Sequence, residues 1–124
     1  MIIKKDIYNK LIKITKEEEC GFIMGNLDNY VDIFYAKNKS KERDKFIIGL
    51  IDKIKFAFRM IWNFYFDYIL YHVHTIKEIP SFSDIQYRAI GEKIIIIFNK
   101  NIYSYRIIGT DMEKDIEKVD YEIK

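Results

Sequence analysis

Four consecutive isoleucines set the tightest limit on what this chain can fold into. "KIIIIF", residues 93–98, is apolar without alternation. A strand with one face in water alternates apolar and polar side chains, so an unbroken run marks a strand covered on both faces. The segment is therefore expected to be a central strand. "NKN" after it reads as a hairpin turn and "IYSYRII" as the return strand.

The rest of the chain supplies elements to build around that strand. "MII" reads as a short first strand, and "DIYNKLIKITKEE" as a helix with Ile7, Leu11 and Ile14 on one face and Asp6 as N-cap. "ECGFIMG" and "YVDIFYA", joined by the turn "NLDN", form a hairpin. "KNKSKERDK" is a solvated polar loop that as a functional element would attract an acidic partner, and "FIIG" is a short strand. "DKIKFAFRMIWNFYF" carries Ile54, Phe58, Ile61, Trp62 and Tyr65 at helical spacing, which predicts a buried amphipathic helix starting near Asp52. "YILYHVH" is a strand, "SFSDIQYRAIG" a helix capped by Ser81 and stopped by Gly91, and the alternating "IEKVDYEI" a last edge strand. The expected fold class is α/β, a single domain in which a mixed β-sheet of about six strands is flanked by two or three helices.

Composition narrows the function. The 124 residues are one domain's length, and 49% apolar with 32% charged residues describes a globular chain. The net charge of +2 lacks the basic excess of a dedicated nucleic-acid binder. Cys20, the one cysteine, allows no intramolecular disulfide and no multi-cysteine zinc site, and it fits a reducing, cytoplasmic setting. "MIIKKDIYNK" has no apolar signal core, and the aromatic run over 56–71 is broken by Arg59, Asn63 and Asp67, so neither a secretory signal nor a membrane span is expected. That run is read as core or as a dimer surface.

The chemistry concentrates in "YHVHTIKEIPSFSD", residues 71–84, which holds both histidines of the chain. On a strand, His72 and His74 project from one face and Val73 from the other. If Ser81 caps a helix, Asp84 lies in its first turn and can be aimed back at the histidines. Two imidazoles and a carboxylate with water in the fourth position form an open catalytic zinc site. An isolated H-x-H on a strand is otherwise a packing or surface feature.

The wider pattern resembles the signature of the JAMM (JAB/MPN) metalloprotease family: a Glu on an early strand, then H-x-H, then Pro-Ser, two residues and Asp. Here these are Glu18 before "CGFIMG", His72 and His74 in "HVH", and Ser81 and Asp84 in "PSFSD". The order of elements agrees over nearly the whole chain, so the resemblance implies a minimal member with the JAB/MPN (cytidine-deaminase-like) architecture. It departs from the family at Thr75, where Pro is usual, and in a span from His74 to Ser81 one residue shorter than the usual loop.

The resemblance implies Zn2+ held by His72, His74 and Asp84, with Glu18 as general base and Ser81 as the group that stabilises the oxyanion. Glu17 and Glu19 flank Glu18, so the base could be displaced by one residue. Ser81 has an alternative role as a plain helix cap, and Cys20 as a small buried side chain. The implied activity is a metalloprotease or isopeptidase that hydrolyses the bond after the C-terminal Gly-Gly of a ubiquitin-like or sulfur-carrier protein. The alternative is a catalytically inactive scaffold or binding module of the same type. A zinc nucleobase deaminase would need H-x-E with P-C-x-x-C, and an eight-unit barrel needs more residues than this chain has.

Overall fold

The computed structural model describes residues 1–16, 19–41 and 47–124. Among the described residues, one mixed sheet of eight strands organises the fold, with three helices packed on it. In chain order the elements are β1 (Ile2–Ile3), α1 (Lys5–Leu11), β2 (Glu19–Asn26), β3 (Asn29–Lys37), α2 (Leu50–Trp62), β4 (Asp67–Val73), α3 (Phe82–Gln86), β5 (Lys93–Phe98), β6 (Asn101–Gly109), β7 (Lys114–Lys118) and β8 (Glu122–Ile123). Across the sheet the order is β7-β6-β5-β4-β2-β3-β1-β8. β4 and β5 run parallel, as do β1 with β3 and β1 with β8, and the remaining pairs are antiparallel.

β5 is the doubly covered strand that its sequence requires. Ile95 and Ile97 enter one core with Ile7 and Leu11 of α1, Ile23, Ile69, Tyr71 and Val73. Ile94 and Ile96 enter a second core on the opposite face with Cys20, Phe22, Met24 and Leu70, against Phe56 and Met60 of α2. The turns "NLDN" and "NKN" carry two consecutive positive-φ residues each, Leu27–Asp28 and Asn99–Lys100. Both match the right-handed twist of the strands they join.

The two ends of the sheet lie close together. β7 and β8 are its opposite edges, yet only residues 119–121 connect them. Four Cα steps reach at most about 15 Å. The sheet must curl until its edges approach, which leaves little open edge for pairing with another chain. This also corrects the expected single tail strand: "IEKVDYEI" divides into part of β7 on one edge and β8 on the other.

Three other expectations change. Of "FIIG", Phe46 lies outside the described residues, residues 47–49 form no strand, and Ile48 makes an isolated bridge with Asn38. α1 ends at Leu11, with Lys4 at the cap position and Asp6 in the first turn. α2 begins at Leu50 after Gly49, and Asp52 instead accepts a hydrogen bond from the Lys37 amide at 3.2 Å. No residue of α2 is buried. Periodicity reports that an apolar face exists, not which way it points. Here Phe56, stacked on Phe22 at 3.8 Å between ring centroids, is the inward contact, and the Arg59–Asp32 ion pair at 2.8 Å fixes the helix against β3. Ile54, Phe58, Ile61 and Trp62 therefore face outward.

Gly21 on β2 marks a close approach inside the sheet. A Cβ there would lie 2.0 Å from the Phe34 carbonyl oxygen and 2.7 Å from the Tyr71 hydroxyl. The first contact is backbone and cannot swing aside. Gly21→Ala is expected to lower unfolding stability by about 2–3 kcal/mol, as overpacking in a rigid site does. A urea melt reads this directly, and an unchanged midpoint would show that the strands can separate freely.

Candidate metal centre

β4 carries the histidines to the edge of the second core. His72 lies opposite Cys20 of β2 and beside Ile96 of β5. The His74 amide continues the ladder by donating to the Ile97 carbonyl at 2.9 Å. Strand alternation therefore holds through residue 74, and both imidazoles point to the face that α3 covers. Their rings meet edge to face, 4.4 Å apart.

α3 brings the carboxylate. Ser81 accepts from the Asp84 amide at 3.2 Å, and Asp84 Oδ2 accepts from the Ser81 amide at 2.8 Å, a reciprocal capping box. That box fixes the Asp84 side chain on the inner side of the first turn. Asp84 Oδ1 lies 3.2 Å from His72 Nε2, and Oδ2 lies 3.3 Å from His74 Nε2. The two Nε2 atoms are 3.2 Å apart. All three residues are buried. The loop between His74 and Ser81 brings α3 back over the histidines. His74 Nδ1 lies 3.1 Å from the Lys77 carbonyl, and the Tyr105 hydroxyl donates to the Glu78 carbonyl at 3.1 Å.

The donor set suits a cation. The Lys77 carbonyl can only accept, so His74 Nδ1 donates to it, which leaves the Nε2 lone pair as what His74 would offer a metal ion. That lone pair, the His72 Nε2 and the Asp84 carboxylate converge on one point. Acceptors this close repel each other unless a proton or a metal ion sits among them. Ligand atoms about 2.0–2.1 Å from a tetrahedral metal lie about 3.3–3.4 Å from one another. The Nε2–Nε2 separation of 3.2 Å fits that spacing, and each Nε2 has a different Asp84 oxygen at 3.2–3.3 Å. His72, His74 and Asp84 can hold a metal ion.

The electrostatics prepare the ligands. Burial lowers the His72 pKa and outweighs the pull of Asp84, so the imidazole is neutral and ready to coordinate at pH 7. Burial alone would raise the Asp84 pKa. The contacts with His72 and His74 overcome it and hold the carboxyl well below the usual carboxylate range. Burial, reinforced by Asp52, pushes the Cys20 thiol up to about 12, which removes it as a nucleophile.

Of the residues singled out from sequence, the structure brings His72, His74, Asp84 and Ser81 together. Ser81 acts as the α3 cap, and its hydroxyl also lies 3.1 Å from that of Ser83. Glu18 and its neighbour Glu17 lie outside the described residues. Glu19 is exposed at the start of β2, one position before Cys20, whose ladder partner is His72. The expected helix over 81–91 shortens to five residues, and Gly91 adopts φ +91° in the turn that leads to β5.

Sequence reading missed the groove beside the triad. A cavity of about 1170 Å³ opens between α2 and α3, with Phe22, Phe56 and Leu70 as floor and Asp84, Tyr87 and Arg88 along one wall. Tyr87, an exposed aromatic, lines it, and Phe82 at the start of α3 is also exposed. Their one signal in the sequence is two large rings at the two ends of a five-residue helix with little core to fill. Among the described residues, no helix is long and apolar enough to cross a membrane.

No protein-family model and no curated protein matches the chain. Its fold is similar to the solution structure of protein DSY2949 from Desulfitobacterium hafniense, with a TM-score of 0.75 and 16% identity over 100% of this chain and 93% of that one. A likeness at that identity establishes a shared mixed α/β fold and leaves activity to the chemistry of the site.

Proposed function

We propose that the chain is a zinc-dependent metalloprotease or isopeptidase of JAMM (JAB/MPN) type. Its expected substrate is the bond after the C-terminal Gly-Gly of a ubiquitin-like or sulfur-carrier protein. The observation that carries this reading is the convergence of His72 Nε2, His74 Nε2 and Asp84 within 3.3 Å of one another. The order helix, strand hairpin, helix, H-x-H strand, Ser-Asp helix, apolar strand and return strand supports the architecture.

Zinc in this triad would supply Lewis-acid polarisation of the scissile carbonyl and a water of lowered pKa. The chain does the rest. The Lys77 carbonyl fixes the His74 ring through Nδ1–H, and the Ser81 amide fixes Asp84 through Oδ2. Glu18 takes the proton of the attacking water on its carboxylate and returns it to the leaving amine. The Ser81 hydroxyl donates to the oxyanion, which requires it to turn from its contacts with Ser83 and the Asp84 amide. The groove between α2 and α3 has room for an extended tail, and glycines at its end would let the backbone approach the triad.

The test is cleavage of a Gly-Gly-linked fusion by the zinc-loaded chain, read by mass. Glu18→Gln is expected to keep the metal and lose at least about 100-fold in turnover. Retained turnover would remove Glu18 as the base. A wild-type chain that holds zinc, binds the fusion and leaves it intact would be a binding module.

A further inference from the structure

The least expected surface in the structure is the outer face of α2. Leu50, Ile51, Phe58, Ile61 and Trp62 are each at least 68% exposed, and Ile54 is 47% exposed. At 100° per residue all six fall within one arc of about 120°, opposite Phe56, which packs on Phe22. Together they present on the order of 800 Å² of mostly apolar surface, close to what each partner buries in a standard-size interface. Patches this large on a folded chain mark interaction sites.

The spacing of the patch identifies its occupant. Apolar positions 50, 51, 54, 58, 61 and 62 are symmetric about position 56. A helix with such a pattern is self-complementary when a second copy crosses it antiparallel about a two-fold axis. Height and angle then set Leu50 against Ile61 of the second copy, Ile51 against Trp62, and Ile54 against Phe58. Each contact occurs twice. A shallow depression of about 440 Å³, lined by Phe58, Trp62, Arg59 and Asp32, lies where Ile51 of the second copy would seat. The Arg59–Asp32 ion pair stays within one chain and pins the helix in the orientation that offers this face.

We propose that the protein forms a two-fold homodimer through antiparallel packing of α2 on α2. The metal centre does not enter this inference. The groove beside the triad uses the inner side of α2, through Lys53 and Phe56, and stays open in the dimer.

Light scattering and sedimentation of the full chain test it. At about 100 µM, well above the dissociation constant of a standard-size interface, wild type is expected at twice the chain mass of 15.0 kDa. Phe58→Glu and Ile54→Lys, made separately, are each expected to weaken dimerisation at least about 100-fold, because each charge is buried twice. Both positions lie outside the two cores, so circular dichroism is expected to stay native. Mixing the two single variants is expected to yield a heterodimer, since positions 54 and 58 face each other and one pair becomes oppositely charged. A monomeric wild type overturns the proposal, as does a dimer that survives Phe58→Glu. Two variants that stay monomeric when mixed overturn the antiparallel register. A monomer whose α2 variants lose binding of a Gly-Gly-tailed protein would assign the face to that protein.

Discussion

One equivalent of Zn2+ added to the metal-free chain is expected to raise its thermal midpoint by roughly 10–20 °C, and His72→Ala/His74→Ala is expected to abolish the rise. The size follows from linkage. A ligand present at about 1,000 times its dissociation constant adds about 4 kcal/mol, and each kcal/mol moves the midpoint of a chain this long by about 3–5 °C. The site is suited to such an effect because its ligands come from two different elements, joined by a short loop. His72 belongs to the end of β4, His74 follows its last residue, and Asp84 lies in the first turn of α3. An ion that joins them ties a five-residue helix to the sheet. Without a cation, a buried carboxylate and two imidazoles are pressed together at 3.2–3.3 Å. Elemental analysis is expected to find about one zinc per wild-type chain and none in the double variant. No uptake and no thermal shift would mean that a shared proton satisfies the triad and that no hydrolase is built on it.

Much of the fold is written in local patterns. The isoleucine run defines β5, the two Asn-containing turns define their hairpins, and H-x-H after "YILY" defines β4 and the common side of its imidazoles. Ser81 and Asp84 announce α3 through the capping box, which also places the third ligand. What stayed hidden depends on relations between distant segments. Nothing local says that the tail splits at residues 119–121 and sends Glu122 to pair with Ile2 on the far edge. The inversion of α2 is a second case. Its apolar side chains follow a helical period whether they face the sheet or the solvent, and the choice is made by Phe56 meeting Phe22 and Arg59 meeting Asp32. The groove depends on how far α2 and α3 stand apart. Glu18 rests on the pattern around Cys20 alone.

Asp84 serves both as cap and as ligand, and three substitutions separate these roles. Asp84→Ala is expected to lose both. The metal-free chain should fall by about 1–2 kcal/mol as the Ser81 amide loses its acceptor. Zinc affinity should fall at least about 1,000-fold, because two neutral imidazoles alone cannot offset the ion's charge or fill its coordination. Asp84→Asn keeps the shape. Its carbonyl can still accept from the Ser81 amide, and its NH2 can donate to a histidine Nε2 lone pair, relieving the crowding that the carboxylate creates when no metal is bound. The metal-free Asn variant should therefore match or exceed wild type in stability and still lose zinc. Ser81→Ala breaks the other half of the box, costing about 1 kcal/mol through the orphaned Asp84 amide, with zinc retained. Denaturant melts with and without the metal, beside zinc titrations, resolve all three. An Asn variant that binds zinc as tightly as wild type would show that the carboxylate is not a ligand. The short reach from Asp84 to both imidazoles would then be only a means of docking α3 on the sheet.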